Sequence, residues 1–266
     1  MKGLSRYLAL ERNPSYRWVV MGMGFMAVFA AIGLGRFGYS AILPEMQNQL
    51  ALSSQQAGSL ASWNLAGYVI LAVTGGALAT GYGARRVVTA GLMVTAMGML
   101  LTGISHGFVS ASVGRLITGF GSGVVMVPST ALMSIWFGSD RRGLASGIVA
   151  SGSSLGLVLS GPLVPRIIAH SGETGWRIAW YVFAAATVVI AFINLVVMRN
   201  RPAASVGLSA SPRPALDWRR IVSSRYAWHL GSVYMLWGYA YMVYFVFFQK
   251  RLIHDLGFTS EEAGSL

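Results

Sequence analysis

Seven long apolar runs constrain this chain more than any catalytic motif. They cover roughly 18–42, 56–80, 87–105, 108–137, 144–168, 179–198 and 227–248. A helix needs about 20 mostly apolar residues to cross the hydrocarbon layer of a bilayer. None of these runs alternates strictly, as barrel strands would, and in lipid a lone segment satisfies its backbone only as a helix. The expected fold class is therefore an all-α membrane protein. Composition agrees: AVILMFWYC residues make up 55% and charged residues 11%, against about a quarter charged in soluble domains. The run 18–42 is too long for the core of a signal peptide and has six successors, so it is expected to stay attached.

Loop charges set the direction of threading. Lys2, Arg6, Arg12 and Arg17 precede the first run; Arg85 and Arg86 follow the second; Arg141 and Arg142 follow the fourth. After the sixth come Arg199, Arg201, Arg213, Arg219, Arg220 and Arg225. Against these fourteen, the opposite loops carry Arg166, Arg177, Lys250 and Arg251. The amino terminus is expected to be cytoplasmic, in a multi-pass protein of the cell's inner (plasma) membrane. The net charge of +12 is spread over these short loops, a pattern that argues against nucleic acid as a partner and for the lipid bilayer.

Residues 199–224 differ from everything before them. They are rich in Pro, Ser, Ala and Arg, with Pro202, Pro212 and Pro214 stiffening the stretch, which is the composition of a linker. We expect a six-helix bundle over 1–198, a cytoplasmic linker over 199–224, and over 225–266 a seventh helix and the start of an eighth. LSSQQAGSL at 52–60 has a counterpart in FTSEEAGSL at 258–266. Both would open a helix from the outer side, and parallel repeats of six helices mark one transporter architecture.

These features meet a family. Gly76, Gly83, Arg85 and Arg86 match a loop pattern G-x-x-x-D-R-x-G-x-R-R, with Thr80 and Gly81 where it has Asp and Arg. Arg115-x-x-x-Gly119 in the fourth run is similar to an arginine motif. Gly152, Gly156, Gly161 and Pro162 in the fifth are similar to a glycine–proline helix-packing motif. In this order and spacing the chain resembles the major facilitator superfamily over its whole length, and GRFGYSAILP at 35–44 is similar to one of its bacterial branches. The resemblance implies twelve helices and transport by alternating access. The present sequence corresponds to the amino-terminal half plus helix 7, so a missing carboxy-terminal half is an expected partner. With Thr80 and Gly81 in place, the charge pair that the resemblance implies for the cytoplasmic loop is not available from those positions.

Arg36 and Arg115 are the charges expected inside the bilayer, since Arg166 falls at the outer end of its run and counts with the loop, and the runs contain no acid of matching depth. A charge there costs about 2.5–3.5 kcal/mol on insertion scales. Two guanidinium forks at similar depth would clamp a carboxylate or phosphate. The alternatives are snorkelling for Arg36 and, for Arg115, hydrogen bonds to backbone carbonyls of a neighbouring helix. Asn64 and Asn194 would bind substrate or hydrogen-bond between helices. Trp237 and Tyr241 lie on an aromatic face with Tyr234, Tyr244 and Phe248, suited to stacking on an organic solute or to packing against the other half.

Cysteine is absent, and the four histidines have no metal-ligand spacing. No metal, cofactor or catalytic constellation is expected, and an enzyme is not. The expected substrate is a small organic solute, an anion by preference. A hydrophobic-drug exporter and a truncated, non-transporting membrane protein are the alternatives. Substrate identity, transport direction, coupling ion and oligomeric state are not legible.

The cysteine-free background makes the threading directly testable. Single cysteines at Ser53 and Ser139 should respectively react and fail to react with an impermeant maleimide added outside. The opposite labelling would invert the topology.

Overall fold

In the computed structural model, residues 15–200, 223–226, 228–236 and 240 are described. The chain divides into two compact units, Met1–Ser209 and Ala210–Leu266. In the first, helices α1 (Tyr16–Gln49), α2 (Ser54–Tyr82), α3 (Ala84–Gly103), α4 (Phe108–Trp136), α5 (Arg142–Ser171) and α6 (Gly175–Val197) follow one another, with no strand among the described residues. In the second, residues 228–236 are helical. Most of the seventh apolar run lies outside the described residues, as does the repeat at 258–266.

Helix ends follow capping chemistry more closely than they follow apolar content. The sequence stops the first helix near Ile42, yet α1 continues through Pro44 to Gln49. Hydrophobicity marks lipid, and a helix entering water has no reason to end where lipid does. α2 opens with a capping box: Ser53 Oγ accepts from the Gln56 amide at 3.2 Å, and Gln56 Oε1 accepts from the Ser53 amide at 3.0 Å. The two orphan donors at the helix start are thereby satisfied. Gly83, at φ 86°, separates α2 from α3 in a single residue, a conformation in which a Cβ is strained. Between α5 and α6, Gly172–Thr174 forms one 3₁₀ turn.

The interior inverts the pattern of a water-soluble bundle. Thr95, Thr102, Thr118, Ser122, Ser129 and Thr187 are buried, while Val69, Ile70 and Val73 on α2 are each more than half exposed. Each buried threonine bonds a carbonyl of the preceding turn of its own helix, as Thr118 Oγ1 does to Gly114 at 2.8 Å. The threonine hydroxyls are thereby satisfied, whereas Ser129 Oγ has no partner, and such small side chains let backbones come close. α4 uses this on two faces. Cβ atoms at Gly119 and Gly123 would strike the α2 backbone at Asn64 and Tyr68, and at Gly114 and Gly121 they would strike α3 at Thr102 and Thr95.

The other close pair is α1 with α5. Gly33 and Gly156 are backbone to backbone, and Gly152 faces the α1 backbone at Phe25 and Phe29. Where they meet, α1 widens into a π-helix over Phe29–Phe37. Two apolar clusters fill the space on either side, one including Val28, Leu92 and Met133, the other Ile42, Met99, Trp180 and Phe183.

The glycine approach can be tested by adding one carbon. Gly156→Ala puts a Cβ into the Gly33 backbone and should destabilise by about 1–3 kcal/mol, read as a lower unfolding midpoint in detergent. Gly161→Ala on the same helix meets open space and should leave the midpoint unchanged or slightly raised. Equal midpoints for the two variants would contradict the packing.

Candidate functional site

The π-helical stretch of α1 carries Arg36, and the two membrane-run arginines come together around it. Arg36 is partly buried, with its guanidinium carbon 5.3 Å from the centre of the Tyr68 ring on α2. Arg115 on α4 is 1% exposed. Its Nη1 donates to the Gly35 carbonyl at 2.7 Å, one residue before Arg36. The Arg115 guanidinium carbon lies 4.5 Å from the Tyr39 ring centre and 5.5 Å from that of Trp180 on α6. Two aromatic faces and a carbonyl offset part of the cost of burying this cation.

Asn64 joins the same cluster from α2. Its Nδ2 donates to the backbone carbonyl of Arg115 at 3.1 Å, while its Oδ1 has no hydrogen-bond partner. The Tyr39 hydroxyl donates to the Ala57 carbonyl at 2.7 Å, tying α1 to α2. Among the described residues the acids are Glu45, Asp140 and Glu173. Glu45 accepts from Gln49 Nε2 at 3.4 Å, and Asp140 pairs with the neighbouring Arg141 at the bundle end. Two cations and several aromatic faces are thus gathered here among the described residues, and a planar guanidinium fork can pair with a carboxylate or phosphate.

Other sequence candidates are placed elsewhere. Asn194 Nδ2 donates to Thr89 Oγ1 at 2.9 Å, an α6–α3 bond. Gly76 faces the Val127 side chain, and Gly161 and Pro162 are exposed on α5. Trp237 and Tyr241 lie outside the described residues.

The loop that holds Gly83, Arg85 and Arg86 is fastened by a residue that sequence reasoning passed over. Asn200, just beyond α6, lies against Gly83 and accepts the Arg85 amide on Oδ1 at 2.8 Å. It acts as an N-cap for α3 supplied from another helix, because Gly83 has no side chain to do so. The end of α6 is itself held: Tyr16 Oη donates to the Val197 carbonyl at 2.6 Å and Trp136 Nε1 to that of Arg199 at 3.2 Å. Tyr39, Tyr68 and Trp180 were also passed over. Tyr39 lies three residues after Arg36 and Tyr68 four after Asn64, so helical spacing from the polar residues was the available signal.

Comparison with known proteins adds three kinds of likeness. The sequence profile of the Major Facilitator Superfamily matches residues 25–266. Among curated proteins, the chain is 23% identical over 235 residues to the hexuronate transporter of Bacillus subtilis, covering 86% of this chain and 55% of that protein. It is 23% identical over 264 residues to a probable sulfoacetate transporter of Cupriavidus necator, covering 94% and 60%. A chloroplastic probable anion transporter of Arabidopsis thaliana is 32% identical over 137 residues, covering 51% and 27%. The chain therefore spans little more than half the length of the first two. Among solved structures, a bacterial homolog of the human lysosomal transporter Spinster, inward-facing and unoccupied, superposes with a TM-score of 0.64 at 16% identity. That match covers 94% of this chain and 58% of the other.

The cap supplied by Asn200 should be visible in amide exchange. Asn200→Ala leaves the Arg85 amide without its acceptor, at a cost of about 1 kcal/mol, and residues 84–87 should exchange severalfold faster. Asn200→Asp keeps the oxygen and should hold their protection. Unchanged exchange in the alanine variant would contradict the contact.

Proposed function

The chain belongs to the Major Facilitator Superfamily, and on that premise we propose that it serves in secondary transport of a small organic anion by alternating access. The six helices of 1–198 act as one half of the carrier, 199–224 as the linker, and 225–266 as the opening of the second half. The solute binds between the halves, where carriers of this architecture place it near the mid-depth of the bilayer. Loop charge favours an amino terminus on the cytoplasmic side of the cell's inner membrane.

One observation carries the choice of an anion: the Arg36 cation within the apolar bundle, with the Tyr68 ring at its back. A guanidinium there is kept at a cost, and its planar fork fits the two oxygens of a carboxylate or sulfonate. Three relatives bear names that fit the same chemistry: a hexuronate transporter, a probable sulfoacetate transporter and a probable anion transporter. The substrate class we favour is a small carboxylate, with or without further oxygenated groups, contacted by Arg36 from the amino-terminal half. Asn64 and Arg115 support that contact from behind, and Trp237 and Tyr241, which lie outside the described residues, are assigned to the solute from the sequence alone.

Uptake of radiolabelled galacturonate and sulfoacetate by vesicles containing the carrier tests this reading. Arg36→Lys keeps the charge and loses the fork, so uptake of the transported anion should fall about tenfold, the equivalent of 1.4 kcal/mol. Arg36→Ala should fall further. Undiminished uptake in Arg36→Ala would remove that residue from the site and the anion from the proposal.

A further inference from the structure

We propose that Arg115 is a positioning residue, which holds the Gly35–Arg36 peptide unit in the π-helical turn of α1 and so aims the Arg36 fork without touching the anion. The inference rests on the reading of Arg36 as the anion contact and deepens it.

The Gly35 carbonyl and the Arg36 amide share one rigid peptide plane. Fixing that oxygen therefore fixes the direction in which Arg36 leaves the backbone. Arg115 Nη1 grips it at 2.7 Å. The charge on the donor strengthens the bond. The grip matters at this point of the chain because Gly35 and Arg36 sit in the π-helical stretch Phe29–Phe37. There the ordinary α register is broken, and such turns recur at functional sites. Gly35 is also confined on its Cα side, where an added Cβ would meet Met99, Thr118 and Thr95 side chains.

Arg115 is ill placed to be a ligand and well placed to be a strut. It is 1% exposed, and its guanidinium faces the Tyr39 and Trp180 rings. Asn64 holds its backbone from α2. A solute would have to part α1, α4 and α6 to reach it. Arg36, by contrast, is only partly buried. The energetic reason for keeping a buried cation is then the direction it imposes on a neighbouring one.

The test is a double-mutant cycle on galacturonate uptake by the full carrier in membrane vesicles, with KM and kcat per inserted molecule measured separately. Arg115→Met should raise KM about tenfold with kcat within about twofold, and Arg115→Lys, which keeps a charged donor, should bring KM back to within about threefold. In an Arg36→Lys background the flexible ammonium does not depend on an aimed fork, so Arg115→Met should add less than about twofold. A full tenfold loss in that background would mean that Arg115 meets the anion itself and would overturn the proposal. An unchanged KM in Arg115→Met, with Arg36→Ala impaired, would overturn it while leaving the anion reading intact. Undiminished uptake in Arg36→Ala would instead remove the reading on which it rests. If Arg115→Met fails to accumulate, the cycle is run with Arg115→Lys: its loss should vanish in the Arg36→Lys background, and strict additivity overturns the proposal.

Discussion

Backbone approach through glycine is the constraint on which the rest of this bundle depends. In lipid, apolar side chains gain little by facing one another, so helices associate through close packing and polar contacts. α4 meets α2 through Gly119 and Gly123 and meets α3 through Gly114 and Gly121, while α1 meets α5 at Gly33 and Gly156. Large apolar side chains such as Ile70 and Val73 turn outward, and threonines and serines turn in. These approaches set the spacing that lets Arg115 of α4 reach a backbone oxygen of α1.

That reach joins packing to function. A charge buried in an apolar bundle is expensive, and here the expense is partly offset by two ring faces and one carbonyl bond. The same contacts converge on the peptide that bears Arg36, itself backed by Tyr68. Carriers of the Major Facilitator Superfamily place the solute between two halves, and under the proposed function this cation is the anion contact. The proposed division of labour has Arg36 meet the solute and Arg115 hold Arg36 in place.

Much of this was legible from the order of residues, and what was missed has physical reasons. The first six apolar runs correspond to α1–α6 because hydrocarbon thickness imposes a minimum length that few other segments meet. The end of α1 was missed by seven residues because polar Glu45–Gln49 continues the helix outside lipid. The spacing of Gly152 and Gly156 pointed to a close neighbour but could not say that α1 was that neighbour. The π turn was not legible, since its widened register accompanies a tertiary meeting at Gly33 and has no local signature. The Asn200 cap that fastens the loop at Gly83 became visible only once α6 was folded back beside α3. Tyr39, Tyr68 and Trp180 were lost among many aromatic residues in apolar helices, where composition does not distinguish a ring beside a cation from one in lipid.

The central claim is that a guanidinium inside this membrane bundle receives a negatively charged organic solute. The most direct measurement compares, by calorimetry on the purified full carrier, the affinity for galacturonate with that for its uncharged methyl ester. The account predicts that the anion binds at least about tenfold more tightly, since the ester retains the sugar but loses the charge that Arg36 meets. Equal affinity for acid and ester, or preference for the ester, would contradict it.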